Sequence, residues 1–381
     1  MSLREGEHQA IIPGLPDDLA IQCLARISHG YHGVLECVSK RWRDVMRSSA
    51  YSHIKAANGW SGDWWFVLTE RQHDGQWNAY DPEANNWHHL PRFHTDEPPG
   101  DHLGFSCVSV SKKFLVIGGF YESPLSPIFP ELKTFVMNDV WLFDPFKKQW
   151  SRRASMKMPR SEFACVVISG KVYVAGGYNS SEPGGITNAE IYDPVTDRWE
   201  DLPSMPFPQM ECSGVSYQGR FHVIGGKVNR DSPNTYDVFD PNKGVWHTVE
   251  YTWPFSRMMW FSIAVMKERI YVITEWDADT IRARNTQTEE WCTVVVLPPI
   301  VLADHSRPLE TFGYGFVGSR GKLYVIGGKA LKYLSDDREF EITKLNMVRF
   351  CNPTVLPLEW KEAKPMRGAG GNVRGCAVLE E

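Results

Sequence analysis

FACVVISGKVYVAGG (residues 163–177), followed by Tyr192-Asp193-Pro194 and then Trp199, is the stretch whose reading decides the architecture. Two short runs rich in Val, Ile and Tyr flank Ser169-Gly170, the composition of paired strands joined by a tight turn. Gly176 and Gly177 end the second run, where residues without Cβ permit positive φ and close backbone approach. Tyr192 closes a third strand, Asp193-Pro194 opens a turn, and Trp199 lies on the returning strand, where it can cover a sheet face. Four strands in roughly fifty residues make one blade of a propeller.

The same pattern recurs along the chain. FSCVSVSKKFLVIGG ends at Gly119, GVSYQGRFHVIGG at Gly226 and GFVGSRGKLYVIGG at Gly328. Aromatic-Asp-Pro turns stand at Tyr80-Asp81-Pro82, Phe143-Asp144-Pro145 and Phe239-Asp240-Pro241, followed by Trp87, Trp150 and Trp246, always six residues after the Asp. Two copies are weaker, in about 257–310 and 313–370: IYVIT at 270–274 lacks the Gly pair but precedes Asn285 and Trp291, and the run after Gly328 reaches Trp360 only after an irregular stretch. The first copy begins at its second strand, Trp64 to Glu70, while the chain ends in an orphan strand, residues 374–379. Ring closure by that strand removes the exposed edge of an incomplete sheet. The expectation is an all-β, six-bladed propeller over residues 62–381.

Composition agrees with many aromatic strands and turns: 15 Trp, 31 Gly and 25 Pro in 381 residues. A net charge of -5 gives no basic footprint, which argues against nucleic acid as a partner. The apolar stretch Trp291 to Ala303 is interrupted by Pro298 and Pro299 and is too short to span a bilayer, so no membrane association is expected. Cys23, Cys37, Cys107, Cys165, Cys212, Cys292, Cys351 and Cys376 form no C-x-x-C pair, and the histidines share no spacing, so no metal or cofactor is expected. The location expected is cytoplasmic, nuclear or both.

Gly-Gly, aromatic-Asp-Pro, Trp and a short linker such as residues 201–206 (DLPSMP) together resemble the kelch repeat. Upstream, the periodicity is helical. Residues 1–10 are expected to be disordered. Pro16 suits a first helical position, Asp17 and Asp18 the positive end of the helix dipole, and Leu19, Cys23, Leu24 and Ile27 fall on one face. After Gly30 and Gly33, Val34, Leu35, Val38, Trp42, Val45 and Met46 recur with helical spacing. Leu15-Pro16-Asp17-Asp18-Leu19, Cys23-Leu24 and residues 37–43 (CVSKRWR) resemble the F-box, so a small all-α F-box is expected over 11–57. The resemblance implies binding of the Skp adaptor, and through it cullin, by Leu15, Pro16, Leu19, Leu24, Val38 and Trp42. Filling the internal core is the competing role for Leu24, Val38 and Trp42.

An F-box followed by kelch repeats resembles the plant F-box/kelch-repeat family. That resemblance implies a non-enzymatic substrate receptor: the F-box holds the adaptor, and the propeller holds an unidentified target for ubiquitination and proteasomal degradation. The alternatives are a kelch scaffold acting without ubiquitination and, more remotely, a copper oxidase of the galactose oxidase type. In antiparallel blades the entry to the first strand and the loop after the second lie at one end. The target contacts expected there are Tyr121, Arg160, Glu162, Tyr178, Lys227, Arg230, Arg257, Trp260, Trp276, Tyr314, Lys329 and Arg374. Two long insertions, 120–136 and 329–342, add to that end. The tryptophans repeated in every copy, and Cys107, Cys165 and Cys376, read as packing groups.

Overall fold

The computed structural model of the chain describes residues 10–381 apart from 59, 61–63, 71–76, 83, 92–100, 123–135, 146, 180–183, 228–234, 251–260, 275–279, 286–287, 289, 301–308, 334–339, 367–369 and 380–381. Of the stretch 1–10 expected to be disordered, all but Ala10 falls outside these described residues.

Six antiparallel sheets, each with four strands in blade order, follow one another in a ring. The first blade takes its innermost strand from the C-terminal segment: Val373–Leu379 pairs with Trp64–Thr69, with Trp64 opposite Leu379. Asn78–Asp81 and Asn86–His89 complete that blade. The fifth blade is fully four-stranded although it lacks the Gly pair, running from Phe261–Met266 to Trp291–Val296.

The sixth blade holds Gly315–Ser319, Lys322–Ile326, Val348–Cys351 and Trp360–Ala363. Its irregular stretch is a second, smaller sheet: Lys329–Tyr333 pairs with Phe340–Lys344 on one side and Glu310–Phe312 on the other. The second blade is extended in a similar way. Its strand Lys113–Glu122 continues past the Gly pair and pairs there with Asp101–Leu103.

Packing explains why the strands are apolar on successive residues. Trp64, Phe66 and Leu68 lie in the core between blades one and two, whereas Trp65 and Val67 lie in the core between blades six and one. Each blade is covered on both faces, so the alternation that marks a half-exposed strand is lost. One such core separates every neighbouring pair of blades around the ring.

The repeated residues secure these junctions. Indole N–H groups donate to carbonyls near the outer strand of the preceding blade: Trp87 to Lys364 (2.8 Å), Trp150 to Pro91 (3.0 Å), Trp199 to Ala154 (2.8 Å), Trp246 to Pro203 (2.7 Å) and Trp360 to Val296 (3.1 Å). The second residue of the Gly pair is irreplaceable for two reasons at Gly177, where φ is 98° and a Cβ would stand 2.6 Å from the Ser161 carbonyl oxygen.

The N-terminal unit contains helices Asp17–Ala25, His32–Leu35, Lys40–Met46 and Ser49–Ala57. The run from Val34 to Met46 is broken, because Ser39 turns out of the helix and caps the next one through the Trp42 amide (3.0 Å).

Candidate adaptor and target interfaces

The helical unit closes around Ile11, Ala20, Leu24, Ala25, Met46 and Tyr51, with Leu15 and Trp42 packed at its margin. Asp17 accepts from the Ile11 amide (2.9 Å) and pairs with Arg41 (2.5 Å), while the Trp42 indole donates to the Ile11 carbonyl (2.7 Å). Lys55, fully buried, donates to the carbonyls of Ala25 (2.8 Å) and Ile27 (2.6 Å), where the negative end of the first helix calls for a cation. Tyr51 lies 2.8 Å from His32, whose pKa falls to about 3 through burial and, second, the Lys55 charge.

Of the six residues expected on the adaptor side, Pro16 is exposed, Leu19 is 44% exposed and Val38 58%, while Leu15 and Trp42 are half-buried. Of the two roles open to Leu24 the structure favours the core and corrects its place among the adaptor contacts: it is 1% exposed and held under Tyr51, whose hydroxyl donates to its carbonyl (3.1 Å). Tyr31 and Val34 are exposed apolar groups outside the expected set. The helical spacing that flagged Val34 could not show that the chain breaks after Leu35 and leaves it at the surface.

This unit rests on the turns between the third and fourth strands of blades one and two. The Ser28 hydroxyl donates to Asp81, and Tyr31 meets the His88 ring edge-on (5.7 Å), which itself stacks on Trp64 (5.3 Å). Gly30 fits only because it has no side chain: a Cβ would stand 2.0 Å from His88 Nε2. Gly33 approaches Lys148 of the second blade, whose pKa is lowered by burial. These turns lie at the end of the ring opposite the loops that follow the Gly pairs. The helical unit therefore leaves the loop end uncovered.

At the loop end, Tyr121 stacks on His102 (4.8 Å), and burial lowers the His102 pKa to about 4. Glu162 is exposed at φ 53°, and Glu211 repeats this in the next blade at φ 54°. Gly104 and Gly313 occupy the matching places elsewhere. Tyr178 is half-buried and pairs with Ser161. Lys329 and Arg374 converge on Glu70, at 2.7 and 3.8 Å, with Lys344 at 3.6 Å. Glu70 and Lys344 were missed from the sequence. Glu70 occupies the place of a residue following a Gly pair in a copy that has none, and Lys344 belongs to the small sheet whose register was not readable.

Two expected target contacts are corrected. Arg160 is 0% exposed, donating to Glu190 (2.6 Å) and to the carbonyls of Gly176 (2.9 Å) and Asn188 (3.0 Å). Glu190 in turn accepts from the Lys157 and Met158 amides, so the pair is held by hydrogen bonds inside the blade. Tyr314 is buried in the core between blades five and six. Lys227 closes a strand, and Arg230, Arg257, Trp260 and Trp276 lie outside the described residues.

No three His, Cys, Asp or Glu side chains converge as a metal site among the described residues. All eight cysteines are free thiols; burial lifts Cys107 and Cys212 to about 12 and also raises Cys165 and Cys376, so these four remain protonated.

The sequence profile of the KLHDC2/KLHL20/DRC7 Kelch-repeats domain matches residues 71–274, and that of the F-box domain matches 12–51. The F-box/kelch-repeat protein At1g16250 of Arabidopsis thaliana is 55% identical over 380 residues, covering 99% of both chains. The chain belongs to the F-box/kelch-repeat family. A second Arabidopsis thaliana member, F-box/kelch-repeat protein SKIP30, is 26% identical over 381 residues, covering 100% of this chain and 99% of its own. The solved structure of YjhT shares the fold, with a TM-score of 0.51 at 13% identity over 70% of this chain and 91% of that one. In family terms, the helical unit is the F-box and the ring is the kelch propeller. No helix among the described residues is long and apolar enough to cross a membrane.

Proposed function

We propose that this protein is the substrate-recognition subunit of a Skp-cullin-F-box ubiquitin ligase. The observation that carries the reading is the exposure of the apolar residues Leu19, Val34 and Val38 on an F-box held against the turn end of the propeller. Exposed apolar groups of this size on so small a unit call for a partner. Pro16, Leu19 and Val38 meet the Skp adaptor, with the margins of Leu15 and Trp42 beside them, and the opposite end of the ring meets the target. Tyr121, Glu162, Tyr178, Lys329 and Arg374 belong to that target end.

The chain makes and breaks no bond in this role. It raises the effective concentration of target lysines near the conjugating enzyme carried by the cullin. Degradation of the ubiquitinated target then follows in the cytosol or nucleus, reducing compartments that suit eight free thiols.

The test is co-purification of the full-length protein with a purified Skp adaptor. Wild type is expected to bind, and Leu19→Asp with Val38→Asp is expected to lose binding with an unchanged melting temperature. Wild type that fails to bind leaves a kelch scaffold acting without ubiquitination.

A further inference from the structure

The small sheet above the sixth blade ends, among the described residues, at the strand Phe340–Lys344, every residue of which is exposed. The register Tyr333 opposite Phe340, Leu331 opposite Ile342 and Lys329 opposite Lys344 places these six side chains on one face. Phe340 is 57% exposed and Ile342 45%. The Leu345 amide donates inward, to the Gly328 carbonyl (2.9 Å), so alternation turns the backbone groups of Ile342 and Lys344 outward. A strand edge of this kind is a template for another strand.

The charge beside it has a definite sign. Lys344, Lys329 and Arg374 share the single carboxylate of Glu70, which leaves two positive charges over. Arg374 Nε is buried and has no hydrogen-bond acceptor among the described residues. Among the described residues, the acidic groups nearby do not neutralise the edge. Glu341 lies on the opposite face of the strand, and Glu310, which accepts from the Tyr333 hydroxyl (3.1 Å), lies two strands back, roughly 10 Å away by strand spacing.

We infer that Phe340–Lys344 takes the target as an added antiparallel strand, as the other strands of this sheet pair: an extended segment with an Asp or Glu followed by apolar residues two and four positions later. The apolar pair covers Phe340 and Ile342, main-chain bonds fix the segment to the edge, and the carboxylate enters the group formed by Lys344, Lys329 and Arg374. This deepens the substrate-receptor reading and rests on it, since it names the class of target segment that the propeller end would take.

The experiment selects a phage-displayed library of random ten-residue peptides on full-length protein, and compares wild type with Lys344→Glu and Phe340→Ser, both checked for unchanged melting. The expected result is enrichment of acidic-x-apolar-x-apolar peptides, with affinity reduced at least tenfold by either substitution and weakened by salt. No enrichment, enriched peptides without the acidic residue, or binding retained by both variants overturns the inference. So does a wild-type dimer in light scattering that Phe340→Ser dissociates, because a second copy then occupies the edge. Adaptor binding is measured on the same preparations: adaptor capture without peptide selection rejects this inference alone, and peptide selection without adaptor capture rejects the ligase role alone.

Discussion

Arg160 shows how far a residue's position and its availability can differ. Its place before a first strand is the same as that of expected target contacts, yet its guanidinium is spent on Glu190 and two carbonyls inside the blade. Arg160→Ala leaves a buried, uncompensated carboxylate and is expected to cost about 3–5 kcal/mol, whereas a target contact would leave stability unchanged. Urea unfolding checks this, and adding Glu190→Gln, which removes the stranded charge while keeping one acceptor oxygen for the Lys157 and Met158 amides, should recover part of the loss.

Buried histidines make a second prediction at this scale. Burial lowers His32 to about 3 and His222 to about 4, from an ordinary value of 6.5. Above pH 6.5 both are neutral in either state, and their neutral burial carries no penalty. As pH falls from 6.5 toward 4, the unfolded chain takes up protons that the folded chain refuses. Stability is therefore lost at up to ~1.4 kcal/mol per pH unit for each histidine. Urea midpoints at pH 7.5 and 5.5 should differ less in a His32→Gln, His222→Phe variant than in wild type.

At the scale of elements, what could be read in the sequence was whatever repeats. The Gly pairs, the Asp-Pro turns and the tryptophans recur because each does the same job at each blade junction, so repetition revealed them without any contact being known. The small sheet on the sixth blade has no counterpart to be compared with, and neither the register of Lys329–Tyr333 with Phe340–Lys344 nor the gathering around Glu70 could be read. Helical spacing identifies which residues of the F-box are apolar but not which are covered, and so it leaves Leu24 open between adaptor contact and core and does not single out Val34. The junction between F-box and propeller depends on a missing side chain. Gly30→Val should push the F-box off His88, giving a larger radius of gyration in solution scattering and faster proteolysis near residue 58, and adding His88→Ala should restore the compact form.

On the scale of the whole molecule, the ring has one seam that differs from the rest. Every other blade draws its four strands from one stretch of the chain, whereas the first joins Trp64–Thr69 to Val373–Leu379. Deleting residues 373–379 opens an apolar edge at Trp64–Thr69 and exposes the cores on both sides of the first blade. The expected outcome is a chain that aggregates on expression, while the same seven residues supplied ahead of Trp64 through a flexible linker give a soluble, monomeric propeller by size-exclusion chromatography.

The seam also governs the order of events during synthesis. Trp64 leaves the ribosome before all the other blades and its partner Leu379 after them, so the first blade waits unfinished while every other blade is being made. Contacts this distant along the chain form slowly, and the waiting edge is open to chaperones in the interval. A transcript that stops before codon 373 yields a chain with a complete F-box and a ring that cannot close.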